Sequence, residues 1–107
     1  VVLTFFERRR PRDCQSIEWS ARQRRKIEGG VREMARLVAD RTWAVGSAFG
    51  LGDIAVGTAL GYLTVRLAEF DWGALYPNLA AYRDRLEHRA SFAMSRPVPQ
   101  TITDAVV

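Results

Sequence analysis

Phe49-Gly50-Leu51-Gly52-Asp53-Ile54 decides how this chain folds, because Asp53 is the only charged residue between Arg41 and Arg66. A carboxylate set among Ala, Val, Leu, Ile and Gly needs a partner, since burying an unpaired charge is very costly. An uncharged run of about 20 residues is long enough for a membrane span. Two features oppose that reading. A central Asp costs about 2.5–3.5 kcal/mol on insertion, and Gly46, Gly50 and Gly52 weaken a continuous helix through the first half of the run. A helix from Leu51 to Leu67 would measure about 25 Å at 1.5 Å per residue, short of a hydrocarbon core of about 30 Å. The run reads instead as the central, all-round-buried helix of a soluble protein.

Asp53 has a place in such a helix. With Gly50 as N-cap, Asp53 falls at the third helical position, from which a carboxylate reaches back to the cap residue's own N–H. Its charge also meets the positive end of the helix dipole. Phe49 precedes the cap and Ile54 occupies the fourth position, the arrangement of a hydrophobic staple. Gly50 offers no side-chain oxygen, at a cost of only a few tenths of a kcal/mol relative to Ser or Thr. Asp53 is therefore expected to start a helix, not to act as a catalytic acid. Gly57 and Gly61 lie four apart on this helix, where small residues let a neighbouring helix come close.

Outward from this segment the pattern is helical throughout. Residues 1–10 read as a helix end with Val2, Phe5 and Phe6 apolar and Glu7 to Arg10 exposed, stopped before Pro11. Ser16 is expected to cap a helix running to about Ala39, with Ile27, Val31, Met34 and Val38 on one face and Gly29 and Gly30 weakening its middle. Trp43, in the following loop, is expected to plug the core. Beyond the central helix a connector carries Trp72 as an anchor. Pro77 then opens another helix with Leu79, Tyr82 and Leu86 on one stripe. A short terminal helix over residues 90–94 is expected before Pro97 and Pro99 end regular structure. No strand-length alternation occurs, so the fold class is all-α: about five helices around a buried central one, as one domain over residues 1–107.

Composition narrows function. Of 107 residues, 48% are hydrophobic and 26% charged, an ordinary globular balance. The net charge of +4 is uneven: residues 1–41 carry 11 basic and 6 acidic side chains, whereas residues 42–107 carry 5 and 6. Clustered Arg could meet nucleic-acid phosphates. However, Glu18 stands four before Arg22 and Glu28 four before Arg32, a spacing that laces a solvated helix face. No aromatic residue interleaves Arg22, Arg24, Arg25 and Lys26 to stack bases. Nucleic acid is thus not the expected partner. A single cysteine, Cys14, excludes an internal disulfide, and no Cys and His set has metal-ligand spacing. Cys14 lacks a positioned base and reads as a surface or packing residue, and His88 reads as a structural residue near a helix C-terminus. No metal ligand and no bound cofactor are expected. The N-terminus runs quickly into Glu7 and three arginines, unlike a signal peptide, so a cytoplasmic location is expected. Opening on Val within an apparent helix, the chain is expected to be part of a longer protein.

The order Trp43-x-x-Gly46-x-x-Phe49-Gly50-Leu51-Gly52-Asp53-Ile54-Ala55, then Tyr76-Pro77-Asn78-Leu79-x-x-Tyr82, then His88-Arg89-Ala90-Ser91-Phe92 closely resembles the C-terminal helical domain of bacterial cytosolic glutathione S-transferases. The resemblance covers about residues 3–97. It departs at Gly50, where the family usually has Ser or Thr, and at Ala90, where Pro is common. The family's thioredoxin-like domain, with its glutathione site and catalytic residue, is absent from the sequence.

The resemblance implies a division of labour. The thioredoxin-like domain would bind and ionise glutathione as co-substrate, while the helical domain would line a pocket for an apolar electrophile. On that basis Phe5 and Phe6 are the expected pocket residues, with Arg9 as a polar neighbour and no catalytic residue in this chain. Core packing competes as an explanation for both rings, more strongly for Phe5. A homodimer formed through the first two helices is also implied. The rival function is a non-catalytic protein–protein assembly module of the same fold.

Overall fold

The protein, analysed as a computed structural model, is described over residues 1–101, and among these no strand occurs. Helix α1 (Val2–Glu7) leads through a 3-10 turn at Arg12–Cys14 into the long α2 (Ile17–Val38). After a loop come α3 (Leu51–Arg66), the single turn α4 (Trp72–Leu75), α5 (Pro77–Glu87) and α6 (Ala90–Met94). The all-α expectation holds, and the turn expected as a connector at Trp72 is itself helical, capped by Asp71 Oδ1 accepting from Ala74 N–H at 3.0 Å.

The ends of α2 are tied in different ways. Ser16 Oγ accepts from Trp19 N–H at 3.2 Å, the N-cap bond expected of Ser. Glu7, expected on the exposed face of the first helix, is instead only 8% exposed, and its Oε1 accepts from Ser16 N–H at 2.8 Å. A carboxylate near the positive helix end explains that inversion. At the other end Ala39 takes φ 45°, a conformation that favours glycine. The amide of Asn78 spans the gap, its Nδ2 donating to the carbonyls of Ala35 (2.9 Å) and Ala39 (3.2 Å) and satisfying the terminal acceptors of α2 from the start of α5.

The core lies where α5 meets its neighbours α2, α3, α4 and α6. Leu79, Tyr82 and Leu86, the stripe read from sequence, are at most 1% exposed and meet Val31 and Val38 of α2 and Leu60 and Leu63 of α3. Ile27 and Met34 are partly buried at its edge, with Trp43 and Phe49. Burial of α3 differs from the all-round expectation: Asp53, Gly57, Leu60, Gly61 and Leu63 are buried, whereas Leu51 is 80% and Ile54 44% exposed, and Ala55, Thr58 and Ala59 are exposed too. The apolar character of this helix exceeds what the described residues cover.

The glycine of α3 that mattered most is Gly57. A Cβ there would lie 2.5 Å from Phe92 Cε1 and 2.8 Å from Leu86 Cδ1, so its absence sets how closely α3, α5 and α6 pack.

Candidate functional site

Asp53 sits at a three-way junction. Its Oδ2 accepts from Gly50 N–H at 2.8 Å, the reach-back bond that the sequence predicts. Its Oδ1 accepts from Ala44 N–H at 2.8 Å and from the Tyr82 hydroxyl. Burial pushes the Asp53 carboxyl toward the protonated form, but the bonds from Tyr82, Ala44 and Gly50 together outweigh it and leave the pKa below the ordinary value. Burial and the Asp53 carboxylate raise the Tyr82 phenol. A carboxylate with every strong bond committed inward joins the loop, α3 and α5. It presents nothing to a substrate. Tyr82 and Ala44 were missed as its partners, although a tyrosine in the core stripe needs an acceptor and the lone carboxylate was the obvious one.

Phe49 and Ile54 line an apolar cleft, and Phe49 packs edge-on against Trp43 (5.7 Å between ring centroids) and Phe92 (6.4 Å). The Arg89 guanidinium lies 3.7 Å from the Phe49 ring centroid. The cleft, about 470 Å³, runs between α3 and α6 over Gly57, Thr58, Gly61 and Tyr62. Its walls are mostly apolar, and Glu87 and Arg96 pair across its edge at 2.6 Å. A second, more polar hollow of about 310 Å³ lies between the end of α3 and α4, beside Thr64, Trp72 and Arg83. Arg83 is engaged there, donating to Thr64 Oγ1 at 2.8 Å and pairing with Glu87 at 3.4 Å.

The residues expected to line a pocket gather on α1. Phe5 and Phe6 meet edge-on at 5.4 Å; Phe6 is 39% exposed and Phe5 half-buried. The Arg9 guanidinium stands 5.6 Å from the Phe5 ring, so the structure brings all three expected residues together. It also adds a fourth that sequence reading passed over. Arg66, the last residue of α3, lies 4.6 Å from the Phe5 centroid and 5.9 Å from that of Tyr62. The signal available for it was position: Arg66 is the charge that ends the apolar run. None of Phe5, Phe6 and Arg9 lines the cleft or the hollow, but Tyr62 belongs to both the cleft and this cluster.

Other candidates fall away. Cys14 is exposed on its 3-10 turn. His88 is exposed, with Nδ1 at 2.7 Å from the Asp84 carbonyl oxygen, the place of a side chain folded back on its own helix. Among the described residues no three His, Cys, Asp or Glu side chains gather as metal ligands, and no helix is long and apolar enough to cross a membrane. The basic face of α2 is paired differently from the sequence expectation: Glu28 turns back to Arg24 at 2.7 Å instead of forward to Arg32, because Arg24 is fixed over the Phe70 ring at 4.6 Å.

Comparison with known proteins agrees with this architecture. The sequence pattern of the glutathione S-transferase C-terminal domain matches residues 17–85. No curated protein matches. A glutathione S-transferase from Methylobacterium radiotolerans, crystallised with glutathione sulfonate, superposes with a TM-score of 0.95 at 63% identity, over 99% of this chain and 50% of that one. A second, from Methylobacillus flagellatus with glutathione bound, gives 0.86 at 41% identity, over 91% of this chain and 48% of that one. The chain spans about half the length of these solved structures. Six helices in this order among the described residues, the Asp53 junction between loop, α3 and α5, and a 63% identical counterpart over nearly every residue place this chain in the glutathione S-transferase family, as its C-terminal helical domain.

Proposed function

We propose that residues 1–107 form one helical domain that supplies the electrophile-binding surface of a glutathione-conjugating enzyme. The observation that carries this reading is the near-complete superposition on half of a protein crystallised with glutathione sulfonate. The half-exposed aromatic pair Phe5 and Phe6, beside Arg9, supports it from within the chain, because an apolar co-substrate needs exposed apolar side chains near few polar ones. In this reading glutathione is a co-substrate held elsewhere, the chain alone is inactive, and Asp53 serves folding. Pairing of two copies through α1 and α2 and a cytoplasmic location belong to the same proposal. Exposed Val2, Leu3 and Leu37 on those helices are consistent with the pairing.

A chimera tests it. This chain replaces the matching half of the Methylobacterium protein, and glutathione conjugation to an aryl halide is assayed with the folded state checked by circular dichroism. Conjugation within about a hundredfold of the parent is expected, since a misplacement of about 1 Å in the bound co-substrate costs on the order of 100-fold. A chimera that folds and pairs but conjugates nothing would overturn the reading in favour of a non-catalytic assembly module.

A further inference from the structure

Gly57 and Gly61, one turn apart on α3, receive the end of the fold differently. A Cβ on Gly57 would fall 2.5 Å from Phe92 Cε1, so α6 is seated there without slack. A Cβ on Gly61 would meet Pro97 only at 3.5 Å and 3.7 Å, which is ordinary van der Waals contact, so room for a methyl group remains beneath Pro97. Both glycines line the apolar cleft of about 470 Å³, and Ser95, Arg96 and Pro97 form part of its wall. That volume lies within the range of about 300–1,000 Å³ that suits small molecules.

Little holds this wall in place. Helix α6 ends at Met94, and among the described residues no backbone hydrogen bond involves Arg96 or the chain beyond it. Its polar ties are Ser95 Oγ donating to the Ser91 carbonyl at 2.6 Å and the Arg96–Glu87 ion pair at 2.6 Å. The Arg96 side chain is 63% exposed, and a pair so open to water is weak and screened by salt. Breaking it strands no charge, because Arg96 returns to solvent while Glu87 keeps Arg83 at 3.4 Å. A segment with few buried contacts and one screened tie opens more readily than the helices on which it rests.

We propose that residues 95–97 are a strap, latched by Arg96 on Glu87, that controls entry of small neutral apolar molecules into the cleft between α3 and α6. Latched, it keeps Pro97 over Gly61; released, it moves off while Phe92 stays seated on Gly57, and the mouth of the cleft widens. Phe5, Phe6 and Arg9 lie outside this cleft, so the strap stands independently of the electrophile-surface reading.

Phenylnaphthylamine, a neutral fluorescent probe, reads this device, because salt then acts on the latch and not on a charge of the probe. At low salt Arg96→Gln is expected to bind it about threefold more tightly than the native chain, a factor of the size that one exposed ion pair supplies. Arg96→Lys, which keeps the charge, should stay close to the native chain. As salt is raised the ratio between native and Arg96→Gln affinities should approach one, since the latch is screened in the native chain and absent from the variant. Thr58→Phe, which adds a ring to the cleft from an exposed position on α3, should abolish binding in both backgrounds. Near-ultraviolet circular dichroism of each variant establishes that the rings of Phe49 and Phe92 remain packed. Equal affinity of native chain and Arg96→Gln at low salt overturns the latch, as does a ratio that salt leaves unchanged. Weaker binding by Arg96→Gln makes Arg96 part of the binding wall and overturns it too. Binding that survives Thr58→Phe puts the probe outside the cleft, and binding by no form removes the cleft as a site; either result overturns the proposal.

Discussion

The two sides of α3 are built on opposite principles. On the α5 side, Asp53, Gly57 and Leu60 are buried, every strong hydrogen bond of the carboxylate is committed, and a single added methyl would collide with Phe92 and Leu86. On the other side, Leu51 and Ile54 are exposed, and Arg66 stacks on rings without an anionic partner among the described residues. One face closes the fold; the other leaves apolar side chains exposed. Tight packing and full polar satisfaction specify a single structure, whereas exposed aromatic surface and an unpaired cation raise the free energy of the isolated chain and are relieved on binding.

Three substitutions probe how sharp this contrast is. Asp53→Ala strips the acceptor from the Tyr82 hydroxyl and from the N–H groups of Ala44 and Gly50, and is expected to cost about 2–4 kcal/mol in urea unfolding, since buried donors left unpaired lose their solvation as well as their bond. The same junction sets an acid limit. Because the Asp53 pKa is lowered by folding, its contribution is complete above the ordinary carboxylate pKa of about 3.9 and is lost as pH falls through the folded-state value below it. Unfolding midpoints measured between pH 6 and pH 2, values chosen to span roughly that window, should therefore fall at the acid end in the native chain. The Asp53→Ala curve should be flatter there; parallel curves would refute the junction's electrostatic role.

Gly57→Ala comes next, at about 1–3 kcal/mol for forcing a methyl into an occupied site. The loss would be small only if α6 moved away, which the near-ultraviolet signal of Phe92 and its neighbours would reveal. Phe6→Ala should change stability least, by about 1 kcal/mol or less, because a ring that is 39% exposed has already kept part of its water. A cost as large as that of Asp53→Ala would mean that Phe6 of α1 packs as a core residue and not as exposed aromatic surface.

Much of the closed side was legible in the sequence, and the reason is periodicity. Leu79, Tyr82 and Leu86 repeat at helical spacing, Pro77 and Ser16 mark helix starts, and Asp53 stands out as a charge with nowhere to go. The open side was legible only through resemblance. Phe5 and Phe6 carry the same pattern whether they face a core, another part of a longer protein or a ligand, since hydrophobic spacing reports that a face is apolar and not what covers it. The same limit explains the mistaken burial of all of α3. Glu7 and Asn78 were hidden for another reason: their partners, Ser16 and Ala35, lie on other elements, and one sequence carries no record of such pairings.

The long helix α2 has a mechanical consequence. Its first turn is tied by Ser16 and Glu7 and its last by Asn78, the places where helices usually fray. The untied place is the middle, where Gly29 and Gly30 stand adjacent and each forgoes about 1 kcal/mol of helix propensity. A Cβ at either would meet nothing within 4 Å, so close packing does not demand these glycines. Amide exchange along α2 should consequently run in reverse of the ordinary profile, slow at both tips and fastest near the centre, making this helix a hinged strut that yields from within while its two anchorages hold.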